Sequence, residues 1–104
     1  MDKKKQKALE AKGYRVGTVN EFLGLSDEEA AYIELKLALG LALAKRRKEN
    51  KITQTQLAKK LGSSQSRIAK MEKGDPTVSL DLLVKSLLSM GATKENIAKA
   101  LSVN

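Results

Sequence analysis

Gln65, Ser66, Arg67 and Lys70 crowd one short stretch, QSRIAK, and their side chains are suited to polar recognition rather than to covalent chemistry. A glutamine amide donates and accepts in one plane, a guanidinium donates in a rigid fork, and a hydroxyl does either. The sequence contains no His and no Cys, which removes imidazole acid–base catalysis, thiolate nucleophiles, disulfides and the usual zinc ligands. A Lys–Ser or carboxylate pair is the remaining route to catalysis, and nothing beyond chance proximity supports one. The expectation is a binding protein, not an enzyme, with no cofactor and no metal.

Charge narrows what is bound. The 104 residues carry a formal net charge of +8, and ten basic residues against two acids lie between Lys45 and Lys73. That segment therefore accounts for the whole imbalance. A solvated lysine-rich surface is the ordinary meaning of such a run, and a polyanionic partner is the alternative. Readers of single strands or RNA that work by stacking need aromatic rings among the charges. Tyr14, Phe22 and Tyr32 all lie outside the basic segment, which argues against that mode.

The elements that must position these residues follow from composition and punctuation. Hydrophobic residues make up 41% of the chain, enough for one compact core, and Leu and Ala dominate them, so the predicted class is all-α. No apolar run approaches the roughly 20 residues of a membrane span, and the N-terminal lysines are not followed by the apolar stretch of a signal peptide. A soluble, cytoplasmic protein is expected. Residues 1–12 read as a basic, disordered arm. Residues 13–25 form a short helical segment opened by a Thr18/Glu21 capping box, and residues 26–104 form the main domain.

Ser26 and Glu29 repeat that box and open a long helix to Glu49, interrupted only by Gly40 at a cost of about 1 kcal/mol relative to Ala. Its apolar residues fall on two faces: Ala30, Ile33, Leu37, Leu41 and Ala44 on one, Tyr32, Leu35, Leu39 and Leu43 nearly opposite. One face can pack on the core. The other needs Phe22, Leu23 and Leu25 folded back on it, a second copy, or another protein. Asn50 reads as the C-cap, after which Thr53/Gln56, Ser79 and Thr93 open further helices and Gly62, Gly74 and Gly91 close them.

The stretch QTQLAKKLGSSQSRIAKM, from Gln54 to Met71, then places the polar cluster. It has two short helices around a glycine-led turn, the arithmetic of a helix-turn-helix. Ala58 is small where the second helix crosses, Gly62 can adopt the positive φ of the turn, and Leu57, Leu61, Ile68 and Met71 supply a shared apolar contact. Ser63 is polar at a position often apolar in such motifs, which predicts a looser turn.

On Arg47, Thr53-Gln54, Leu57-Ala58, Gly62, Ser64-Gln65, Ile68, Glu72 and Gly74, the segment from Leu39 to Leu88 resembles the Xre family of helix-turn-helix regulators, which includes the Cro and C1-type phage repressors. The flanking segment VGTVNEFLGLSDEEAAYIELKLALGLAL is similar to short Xre proteins that act as antitoxins beside RelE/HigB-like ribonuclease toxins. The resemblance implies a Cro/C1-type bundle of about five helices, preceded by the short N-terminal helix. It also implies a helix from Gln65 lying in the major groove of double-stranded DNA, with Gln65, Ser66, Arg67 and Lys70 reading base edges. Thr53, Gln54, Lys59, Ser63 and Ser64 would then meet phosphates. The competing reading of Thr53, Ser63 and Ser64 is helix capping, and that of Lys59 is a solvated charge. An ion pair between Arg47 and Glu72 is implied as well, and Glu72 is unusual as an acid amid so many bases. A homodimer and a toxin partner complete the expectation of an autoregulating antitoxin. A free-standing phage-type repressor and a protein-binding helical module are the alternatives.

Overall fold

The computed structural model describes residues 24–102. The arm at 1–12 and most of the segment at 13–25, including the Thr18/Glu21 box, Phe22 and Leu23, lie outside the described residues. Five helices follow in order: α1 Asp27–Glu49, α2 Gln54–Leu61, α3 Gln65–Glu72, α4 Leu80–Ser89 and α5 Lys94–Ser102. The described residues contain no strand, and no helix among them is long and apolar enough to cross a membrane.

The described residues fall into two units, 24–32 and 33–102. In the first, the Ser26 N–H donates to Glu29 Oε1 at 2.9 Å and the Glu29 N–H donates to Ser26 Oγ at 3.1 Å. This reciprocal box starts α1, and bonding to the Ser26 backbone and then to its hydroxyl holds the Glu29 carboxyl below its ordinary range.

The second unit contains the core. Leu39 and Leu43 of α1, Leu57 and Ala58 of α2, Ile68 and Met71 of α3, and Leu83 and Leu87 of α4 are buried together. Leu61 packs at the edge of this cluster, partly buried. Of the two apolar faces of α1, only the Leu39 and Leu43 end of one meets the core, whereas Tyr32 and Leu35 on that same face are exposed and Ala30 on the opposite face is buried. Ile33, Leu37 and Leu41 on that opposite face stand 39%, 43% and 67% exposed.

A shared closure ends four of the helices. After α1, the Lys51 N–H donates to Lys48 O at 3.0 Å and the Ile52 N–H to Arg47 O at 3.3 Å, the paired bonds of a Schellman motif. Asn50 is the cap, and the left-handed position after it is taken by Lys51, at φ 60°. Gly62, Gly74 and Gly91 occupy the equivalent left-handed positions after α2, α3 and α4, where a side chain would be strained.

Candidate nucleic-acid interface

Both short helices of the turn are fixed at their starts by side chains. Thr53 Oγ1 accepts from the Gln56 N–H at 3.0 Å while Gln56 Oε1 accepts from the Thr53 N–H at 2.7 Å. Ser64 Oγ accepts from the Arg67 N–H at 3.1 Å. Capping is thus present for Thr53 and Ser64, and it leaves each exposed hydroxyl able to donate outward.

Four side chains form a continuous chain from the interior to the surface. Arg47 Nε donates to Glu72 Oε2 at 2.6 Å and Arg47 Nη2 to Glu72 Oε1 at 3.1 Å, a bidentate pair. Arg47 Nη1 also holds the Ile52 carbonyl at 2.9 Å. The Glu72 hydrogen bond raises the Arg47 pKa above its ordinary value against the opposing effect of desolvation, so the guanidinium is charged at any working pH. Gln54 Nε2 donates to Glu72 Oε1 at 3.0 Å, and Gln65 Nε2 donates to Gln54 Oε1 at 2.6 Å. Gln54 is half-buried in this chain. Each amide keeps unused donor or acceptor capacity for an outside ligand.

Gln65, Ser66, Arg67 and Lys70 are all exposed on α3, and Lys59 is exposed on α2. Ser63 departs from the phosphate-facing expectation. Its hydroxyl is buried without a hydrogen-bond partner, and its N–H is bonded to Ala58 O at 2.7 Å. The hydroxyl oxygen is thus shielded from solvent here, although Ser63 as a whole is only partly buried.

An open concavity beside the start of α2 is lined by Lys48, Lys51, Thr53, Gln54, Thr55 and Gln65. Lys48 and Lys51 were not singled out by sequence, because a run of adjacent bases does not say which of them share a surface with Gln65. Arg46, from the same run, turns instead to Asn96 Oδ1 at 3.1 Å. Lys36 is likewise unforeseen: it is buried, with Nζ donating to Pro76 O at 3.1 Å across 40 positions of sequence.

Residues 43–85 match the helix-turn-helix family model. The described residues are all-helical, consistent with a Cro/C1-type helix-turn-helix bundle, and the matched segment supports a DNA-binding transcriptional regulator. No curated protein and no solved structure gives a match. Within the matched helix-turn-helix lie Arg47, Glu72, both glutamines and every exposed polar residue of α3 named above.

Proposed function

We propose that the protein is a sequence-specific regulator that reads the major groove of double-stranded DNA with the first turn of α3. The observation that carries this reading is the Gln65–Gln54 hydrogen bond. It orients the first side chain of α3 from the neighbouring helix while Ser66, Arg67 and Lys70 remain exposed beside it. In that docking Gln65 pairs an adenine, Arg67 and Lys70 pair guanines, and Ser66 pairs either. Thr53, Gln54, Lys59 and Ser64 meet the backbone and fix register. Selection from a random duplex pool, followed by titration at constant salt, tests the assignment. A recovered consensus that Gln65→Ala and Arg67→Ala relax supports it, and equal affinity for all duplexes overturns it.

One chain offers one reading helix, so useful specificity calls for a homodimer on half-sites about 34 Å apart or a multiple of that. The finer reading is a cytoplasmic, autoregulating antitoxin of a type II toxin–antitoxin system, with a RelE/HigB-like toxin as partner. Its support is the likeness of the segment from Val16 to Leu43 to such antitoxins, together with the acidic first turn of α1, where exposed Asp27, Glu28 and Glu29 suit a basic protein. Co-expression with the product of an adjacent gene should relieve growth arrest and yield a co-purifying complex. DNA binding with neither result leaves a free-standing repressor.

A further inference from the structure

The outer face of α1 is apolar, open and self-complementary in charge. At about 100° per residue, Glu34, Leu41 and Lys48 fall on nearly one line along the helix, spaced by about two turns each. All three are exposed, and Leu41 is 67% exposed. Glu34 and Lys48 have no ion-pair partner among the described residues. Leu37 and Lys45 flank Leu41 on the same face, four positions to either side.

We propose that this face binds a second copy of the chain, α1 against α1 in antiparallel array, with the two-fold axis passing at Leu41. The sequence spacing is what selects a second copy over an unrelated partner. A two-fold contact brings each residue opposite the one equally far from the axis on the other side. Glu34 then faces Lys48 of the second copy, and Lys48 faces its Glu34, giving two ion pairs of one kind. Leu37 meets the aliphatic stem of the opposing Lys45, which can cover an apolar neighbour while its ammonium stays wet. Ala38 and Ala44, a step further around the helix on either side, are small enough for close approach. A groove of about 450 Å³ between α1 and α5, lined by Ala38, Leu41, Ala42, Ile97 and Ala100, continues the same apolar surface. Lys48 also lines the concavity beside Gln65, at the edge of this face, whereas neither the face nor the groove includes any residue of α3.

This proposal rests on the reading of the protein as a dimeric DNA-binding regulator, and its test uses no DNA. Sedimentation velocity of the full chain over a wide concentration range should show a reversible dimer. Leu41→Glu should abolish it with the circular dichroism spectrum unchanged, because the side chain is exposed. Glu34→Lys alone, or Lys48→Glu alone, turns two attractions into two repulsions and should weaken the dimer by roughly tenfold. The double exchange, Glu34→Lys with Lys48→Glu, should recover most of the loss. A wild-type chain that is monomeric throughout, single exchanges without effect, or a double exchange no better than either single overturns the proposal. Binding of the wild-type dimer to DNA is measured separately, so an intact dimer that ignores DNA sinks the regulator reading alone.

Discussion

A Cβ built on Gly40 would stand 2.6 Å from the carbonyl oxygen of Met71 and 2.9 Å from that of Glu72. Helix α1 therefore meets the last turn of α3 backbone to backbone, and the closeness of the two helices depends on the absence of a side chain at Gly40. Gly40→Ala gains about 1 kcal/mol of helix propensity but forces the helices apart, a change that typically costs about 1 to 3 kcal/mol in a packed core. The expected net result is a lower urea midpoint. A higher midpoint would mean that the two helices do not touch here.

This contact shows where sequence reasoning reaches and where it stops. The helix limits were legible because Thr53, Ser64, Ser79 and Thr93 are caps, and Gly62, Gly74 and Gly91 take left-handed backbone, all local properties of the chain. Gly40 was legible only as a local cost. Its benefit depends on Met71, far along the chain, and no local rule reports it. The two apolar faces of α1 were visible, but which part of them meets the core depends on where Ile68 and Leu83 come to lie. The polar cluster on α3 was visible from residue type and spacing, whereas the burial of the Ser63 hydroxyl depends on tertiary packing that no local rule reports.

Arg47 and Glu72 retain only 12% and 7% of their side-chain exposure, so removing one charge strands the other in a dry place. Glu72→Gln should lower stability by about 3 to 5 kcal/mol, the usual cost of breaking a buried pair. Replacing both by apolar residues of similar size should cost much less. An unchanged midpoint for Glu72→Gln in chemical denaturation would show that the pair contributes nothing.

Asp75 Oδ1 accepts from Thr77 Oγ1 at 2.6 Å and from the Thr77 N–H at 2.8 Å. These bonds, the hydroxyl first, hold its carboxyl below the ordinary carboxylate range. Because the folded pKa is depressed, the contribution is complete above the unfolded value of about 3.9 and is lost as the pH falls through the folded one. Thr77→Val should flatten the decline of stability in that acidic window and leave its pH dependence near neutrality unchanged. A thermal-denaturation series from neutral pH downward measures both regions.

Lys51 holds a left-handed backbone at φ 60°, a conformation that costs a residue with a Cβ about 1 kcal/mol or more. Lys51→Gly relieves the strain while preserving the two bonds that close α1, and should raise the urea midpoint. The same change removes a base from the concavity next to Gln65, so DNA affinity should fall and its dependence on salt should become shallower. Stability and affinity moving in opposite directions is the outcome to look for. A protein that loses both would place Lys51 in the fold rather than at the interface.

Gln54 donates to Glu72 and accepts from Gln65, so it joins the buried ion pair to the side chain proposed to read the first base. If that link orients Gln65, replacing Gln54 and replacing Gln65 remove the same interaction, and their effects on DNA binding cannot add. Gln65→Ala should cost about 1 to 3 kcal/mol on the selected site and relax preference at one base pair. Gln54→Ala should lose part of that discrimination together with some phosphate affinity, and the double variant should be little worse than the worse single. Lys59→Ala supplies the contrast: it should weaken all duplexes alike and reduce the salt slope by about one. Full additivity of Gln54→Ala and Gln65→Ala, measured at one salt concentration on matched and mismatched duplexes, would show that the glutamines act independently and that the hydrogen bond between them does not position the reader.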